Sequence, residues 1–155
     1  MAVDGIAVPR ARVNALKIAV ETELEPAVSQ LLEDAINAFN MAVTSDTQYT
    51  PVNVLLRDEQ DRVQGGAVGG IWGEWLYLKY FWVAEALRGQ GYGSQLLALF
   101  ETEAQRGKCR GIYLETYSFQ AYSFYRRRGF ETRGSISDFP PGHTFYLLAK
   151  PLFYA

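Results

Sequence analysis

A glycine-rich segment, Arg88-Gly89-Gln90-Gly91-Tyr92-Gly93, joins a long apolar run to an amphipathic one. The apolar run at residues 75–83 predicts a strand, and residues 91–106 predict a helix. A glycine turn at a helix N-terminus lets backbone N–H groups converge, and the helix dipole there favours negative charge. The segment therefore predicts a site for a phosphorylated ligand.

Two common nucleotide-binding motifs fit this segment poorly. A P-loop needs Gly-Lys-Ser/Thr after its glycines, and none follows here. The dinucleotide fingerprint keeps two of its three glycines, Gly89 and Gly91, but Ser94 takes the place of the third. The strand before the turn is also the fourth predicted strand, after an antiparallel meander. A dinucleotide-binding protein stays open as the less favoured alternative.

A second block of residues lies further along the chain, Ser118-x-x-Ala121-x-x-Phe124-Tyr125-x-x-x-Gly129-Phe130. The two blocks together resemble the GNAT superfamily of N-acetyltransferases. Its acetyl-CoA signature reads Gln/Arg-x-x-Gly-x-Gly/Ala, and its second block commonly reads Asn-x-x-Ala-x-x-Leu-Tyr-x-x-x-Gly-Phe. The resemblance extends over nearly the whole chain from Leu16, and Ser118 departs from it because the family has Asn there.

The resemblance implies an enzyme that moves the acetyl group of acetyl-CoA to a primary amine of a small molecule or peptide, by direct attack in a ternary complex. The turn would hold the CoA pyrophosphate through backbone N–H groups, and the pantetheine arm would pair with the end of strand 75–83. The cofactor-binding residues implied are Phe81, Trp82, Val83, Arg88, Gly89, Gln90, Gly91, Tyr92, Gly93, Ser94 and Ser118.

The same resemblance implies that Tyr125 is the general acid. A tyrosine with a pKa near 10 is protonated at neutral pH and can donate to the leaving thiolate. The general base stays open among Glu115, Glu85, Glu74 and His143, with Glu115 as the candidate taken forward. A non-catalytic protein that binds or senses acyl-CoA is the alternative function.

Hydrophobic periodicity predicts an α/β (α+β) fold with one mixed, mostly antiparallel sheet and helices on both faces. The resemblance implies the acyl-CoA N-acyltransferase fold, in which a central parallel strand pair splays apart. Strand 75–83 is apolar on both sides, with Leu76, Leu78, Tyr80 and Trp82 expected on one face and Tyr77, Phe81 and Val83 on the other. The remaining predicted strands are 16–22, 52–57, 63–72, 111–116, 130–135 and 143–150, and the helices are 26–39, 91–106 and 119–128.

Composition limits the remaining choices. The chain has 155 residues, 48% of them hydrophobic and 21% charged, which is typical of a single globular domain, 1–155, with residues 1–15 expected as a mobile leader. A net charge of -2 argues against a nucleic-acid partner, and one Cys with one His argues against a metal cluster. No membrane span or signal peptide is apparent, so a cytoplasmic protein is expected. The resemblance allows a homodimer, and Arg126–128 is interpreted as a solvated helix end.

Overall fold

The computed structural model describes residues 16–45 and 48–152. The chain divides into two compact units, Met1–Val43 and Thr44–Ala155. In the first unit, an irregular segment leads into helix α1 (Pro26–Thr44), whose last residue reaches the second unit. The predicted leader, residues 1–15, lies outside the described residues, and the single-domain organisation stays a prediction.

The predicted strand at residues 16–22 is wrong, because these residues form no regular secondary structure. Alternating apolar residues suit a strand, but a strand also needs a neighbour to accept its N–H groups. Among the described residues of the first unit there is no second strand that could do so. Helix α1 begins at Pro26 as predicted, since proline is tolerated in the first turn, and it extends further than residue 39.

The second unit contains a six-stranded sheet with the order β1-β2-β3-β4-β6-β5. Strands β3 and β4 are parallel, and all the other neighbours are antiparallel. The bounds of these six strands lie within two residues of the prediction, so the mixed, mostly antiparallel sheet is confirmed. They are β1 (Thr50–Arg57), β2 (Val63–Trp72), β3 (Trp75–Val83), β4 (Gly111–Tyr117), β5 (Glu131–Ser137) and β6 (Thr144–Pro151).

Helix α2 (Tyr92–Arg106) lies between β3 and β4 along the chain and covers one face of the sheet. A short 3-10 turn, Glu85–Leu87, leads from β3 towards it. The side chains predicted to point inward from this helix are all buried in the core, namely Leu96, Leu97, Phe100 and Ala104. No helix among the described residues has the length and apolar character needed to span a membrane.

Strand β3 contains a bulge. Tyr80 pairs with Val68 of β2 and Leu78 pairs with Gly69, so Lys79 between them has no partner on that strand. A Cβ atom at Gly69 would overlap the backbone of β3, and glycine therefore permits the close approach of the two strands at this point.

The bulge changes which side chains of β3 face the core. Successive side chains of a strand alternate between its faces, and one extra residue shifts that alternation. The predicted division of β3 is therefore wrong beyond Leu78. Leu76, Leu78 and Val83 are buried and Phe81 packs against them in the core, whereas Tyr80 and Trp82 are exposed on the other face.

The predicted helix at residues 119–128 is shorter in the structure, where α3 spans Tyr122–Arg126. The Ser118 hydroxyl does not cap it, because this oxygen accepts the Thr144 N–H at 3.1 Å. The Gln120 side-chain oxygen accepts the Tyr117 N–H at 3.2 Å and closes a turn before the helix. This turn lets α3 follow β4 after only a few residues.

Candidate active site

Strands β3 and β4 part in the middle of the sheet. Their parallel pairing extends from Trp75 and Gly111 to Leu78 and Leu114 and stops there, at the bulge. Beyond this point the edge of β3 that faces β4 has no strand partner among the described residues. The central splayed pair is confirmed, and its unpaired backbone groups are available to a ligand.

Two residues of β3 turn their backbone groups into this gap. Ala84 donates its N–H to the Gln64 carbonyl at 2.8 Å, so it faces β2. Because alternate residues of an antiparallel strand face the same neighbour, Trp82 also faces β2, whereas Phe81 and Val83 face the gap.

A cleft of about 1070 Å³ opens at the gap. Its walls come from the end of β3, the glycine turn, the start of α2, the end of β4 and helix α3. Three predicted site residues, Gln90, Tyr92 and Ser118, are not part of its lining. The structure brings together the other ten, which are Phe81, Trp82, Val83, Arg88, Gly89, Gly91, Gly93, Ser94, Glu115 and Tyr125.

The glycine turn has the geometry of an anion site. Gly89 and Gly91 have φ values of 75° and 90°, a left-handed conformation that residues with a side chain rarely adopt. Gly91 is the N-cap of α2, and the first backbone bond within the helix runs from the Gln95 N–H to its carbonyl, at 3.1 Å. The N–H groups of residues 92–94 therefore have no acceptor within the helix and converge with its positive dipole end.

Arg88 differs from the other residues of the turn. Its N–H donates to the Glu85 carbonyl at 3.1 Å, so the expected contribution of this N–H to a phosphate site is wrong. Its Nε donates to the Val83 carbonyl at 3.0 Å. The guanidinium thus fastens the turn to the end of β3 while remaining in the cleft lining.

Tyr125 reaches the cleft from the core, with only 5% of its surface exposed. Its ring packs against Phe81 and Phe130, with centroid distances of 5.8 and 5.7 Å. Burial raises the pKa of Tyr125 well above its ordinary value of 10. The hydroxyl has no hydrogen bond to a described residue, yet it is not sealed from the cleft. Tyr125 is therefore protonated and unpaired at neutral pH, as a proton donor should be.

Only Glu115, among the four residues considered as a general base, lines the cleft in the described part of the chain. Glu74 is paired with Arg110 at 2.6 Å, at the far end of β3. His143 places Nδ1 3.4 Å from the Ser118 hydroxyl, outside the cleft lining. The geometry consequently favours Glu115 over Glu74, Glu85 and His143.

The arginines at the end of α3 are site residues that the sequence did not reveal. Arg126 and Arg127 are exposed, as predicted for a solvated end, although Arg127 also lines the cleft. Arg128 is half-buried and lines the cleft, so for this residue the interpretation as a solvated end is wrong. The Arg128 guanidinium donates to the Ser94 hydroxyl at the start of α2 and lies 3.8 Å from the Phe124 ring centroid. Arg127 and Arg128 stand beside the anion-binding turn, where they would add to its positive potential. In the described residues there is no cluster of His, Cys, Asp and Glu suited to a metal ion.

Comparison with known proteins agrees with this geometry. Residues 17–130 match the Acetyltransferase (GNAT) family. An acetyltransferase of Agrobacterium fabrum is 34% identical over 119 residues, which are 77% of this chain and 87% of the relative. Blasticidin-S acetyltransferase of Streptomyces morookaense is 42% identical over 95 residues, 61% of this chain and 70% of the relative. The crystal structure of an acetyltransferase from Agrobacterium tumefaciens has a TM-score of 0.84 at 30% identity and covers 88% of this chain and 100% of its own. The chain therefore belongs to the GNAT family of acetyltransferases.

Proposed function

We propose that this enzyme transfers the acetyl group of acetyl-CoA to the primary amine of a small molecule while both substrates are bound. The observation that supports this most directly is the cleft, which connects an anion-binding turn to a gap in the sheet with a buried, protonated tyrosine in its wall. In acetyl-CoA, the phosphates suit the turn, the extended arm suits the gap, and the thioester needs a proton donor such as the tyrosine.

The donor would be held by its phosphates and by its amide-rich arm. The N–H groups of residues 92–94 bind the pyrophosphate, and Arg128 adds charge-assisted hydrogen bonds. The pantetheine arm then extends along the open edge of β3 and pairs with the Val83 N–H and the Phe81 carbonyl, because the Val83 carbonyl already accepts the Arg88 Nε. This arrangement directs the thioester towards the point where β3 and β4 separate.

The chemistry proceeds by direct attack. The acceptor ammonium first gives a proton to the Glu115 carboxylate, which passes it to solvent. The neutral nitrogen attacks the thioester carbon, and the N–H of Phe81, the gap-facing residue nearer the point of separation, stabilises the charge on the oxygen. The C–N bond forms and the C–S bond breaks, the sulfur takes the Tyr125 proton, and solvent reprotonates the tyrosine. The nitrogen loses its second proton, so the products are an amide, CoA thiol and one net proton.

The first acceptor class to test is the amine of a small-molecule antibiotic, because the relative that is 42% identical is named for acetylating blasticidin S. A cytoplasmic location and a homodimer stay predictions of the sequence.

The experiment is an acetylation assay with acetyl-CoA and a panel of primary amines that includes blasticidin S, followed by thiol release and mass spectrometry. Replacing Tyr125 with Phe should lower kcat about 10²- to 10⁴-fold, since the acid is lost, while acetyl-CoA affinity is kept. Tyr122→Phe is the matched control, because that hydroxyl lies on the same helix but bonds to Thr132 at 3.2 Å and is outside the cleft lining. A Tyr125→Phe enzyme as active as the control would contradict the mechanism. Acetyl-CoA binding without acetylation of any amine would favour the sensor alternative.

A further inference from the structure

Two tyrosines are stacked on the face of the sheet that points away from the core. Tyr77 of β3 pairs in register with Tyr113 of β4. Their ring centroids are 4.8 Å apart, and the ring planes differ by 18°. Both alternate along their strands with the buried Leu78 and Leu114, which fixes them on the opposite face. The stack therefore ends where the two strands begin to separate.

Glu115 and Tyr80 continue this surface along the gap. Glu115 lies two residues after Tyr113 on the same side of β4, and Tyr80 follows the bulge on β3. Both line the cleft. Tyr77 and Tyr113 adjoin the cleft without lining it, and their pKa values are raised by burial and, next, by the charge of Glu115. We call Tyr77, Tyr80, Tyr113 and Glu115 the tyrosine face.

The tyrosine face has one carboxylate and, at its border, one ammonium, and the two form no ion pair with each other. Glu115 has no ion pair and no hydrogen bond to a residue that the structure describes. Lys79, which also lines the gap, instead places its ammonium 5.1 Å from the Tyr80 ring centroid. Aromatic rings have a negative π face, so a carboxylate that follows a tyrosine stack on the same face of the sheet forms an environment suited to a cation.

We infer that the tyrosine face binds the acceptor as an ammonium cation and selects cationic small molecules over neutral molecules of the same shape. The inference rests on the proposed function, since it places the acceptor opposite the donor. The anionic donor is attracted to the glycine turn and Arg128 on the core side of the sheet, and the cationic acceptor to Glu115 on the other side. The two substrates are thus sorted by charge before they meet at the gap.

The test compares choline with 3,3-dimethylbutan-1-ol, a neutral molecule of nearly the same shape. Neither has an amine that could be acetylated, and the protein is saturated with CoA, so binding is measured without turnover by ligand-observed NMR titration. We expect choline to bind at least about tenfold more tightly than the neutral alcohol, from a cation–π contact combined with a carboxylate.

Variants assign that preference to the tyrosine face. Glu115→Gln and Tyr113→Leu should each reduce the choline preference to less than about threefold, whereas Tyr113→Phe keeps the ring and should retain it. Glu59→Gln is the matched control, because Glu59 is exposed in the β1–β2 turn and outside the cleft lining. Circular dichroism checks that each variant is folded.

Two results would overturn the inference: equal binding of the two probes to the unaltered protein, or a choline preference that survives in Glu115→Gln. The proposed function fails in a different way. A choline preference in a protein that acetylates no amine would contradict the proposed function alone, and amine acetylation without a choline preference would contradict the inference alone.

Discussion

Because of Tyr125, the free energy of unfolding should fall at alkaline pH, and this effect can be measured without any substrate. Burial raises the pKa of Tyr125 in the folded state, whereas in the unfolded chain a tyrosine loses its proton near pH 10. Above that pH the folded state binds more protons than the unfolded state. The free energy of unfolding therefore falls as pH rises, and below about pH 9 Tyr125 has almost no effect on the slope.

The size of this effect follows from the unfolded pKa as long as the folded pKa lies well above the range tested. With an unfolded pKa of about 10, the contribution lost is about 0.8 kcal/mol at pH 10.5 and about 1.4 kcal/mol at pH 11. Tyr77 and Tyr113, whose pKa values are also raised, add to the slope of the unaltered protein. The contribution of Tyr125 is isolated by subtracting the result for Tyr125→Phe, which keeps the ring and removes the titrating proton.

The assay is urea unfolding followed by tryptophan fluorescence, for both proteins, from about pH 8 to pH 10.5. The stability of the unaltered protein relative to Tyr125→Phe should fall by about 0.8 kcal/mol across this range. A difference that stays constant or rises would show that Tyr125 ionises at least as readily in the folded as in the unfolded state. Its assignment as a buried, permanently protonated acid would then be refuted.

Two further predictions concern the donor site. Gly91→Ala puts a side chain at a φ of 90°, with about 1–2 kcal/mol of strain, and should weaken acetyl-CoA binding at least about tenfold in calorimetry. Gly142→Ala, at a φ of 80° and with open space around its Cβ, carries the same strain away from the cleft and should keep the affinity; equal losses in both would refute the role of the turn. Arg128→Ala should weaken acetyl-CoA binding about fivefold at low salt and less at high salt, because its charge is screened there. Arg133→Ala, on β5 and outside the cleft lining, should bind normally, and a loss that does not depend on salt would argue against an electrostatic role for Arg128.

The strands were predictable where their signals are local. Strands β2 and β3 have the predicted bounds because a two-residue turn at Gly73 and Glu74, both with positive φ, separates two apolar runs. The prediction of a strand at residues 16–22 was wrong. Alternating apolar residues show only that a segment could pair, whereas the presence of a partner strand depends on the tertiary structure. The bulge in β3 left no signal, since the strand is apolar on both faces and a shift in alternation exposes no polar residue.

The same distinction holds for the candidate site. The conformation of Gly89 and Gly91 and the start of α2 depend on local backbone preferences, so the turn and the helix that follows it were predictable from the sequence. Arg128 contacts Ser94, which is distant in the sequence. A run of arginines indicates positive charge but not which part of the fold each side chain contacts, so this contact could not be predicted. Ser118 is the opposite case, a predicted site residue that does not line the cleft. Its hydroxyl accepts the N–H of Thr144 from β6, and no pattern around Ser118 reveals this bond.

Lys79 is a residue that the sheet does not require. If it were deleted, Leu78 would be followed directly by Tyr80, and the alternation of β3 would continue with Phe81 and Val83 still facing the core. We expect β3 then to pair without interruption with β2 and to extend its ladder with β4, which would close the gap that we propose for the donor. The expected result is a more regular sheet without the gap between β3 and β4. On the proposed function, the chain keeps one residue more than regular pairing of β3 needs, and the resulting irregularity opens the donor site.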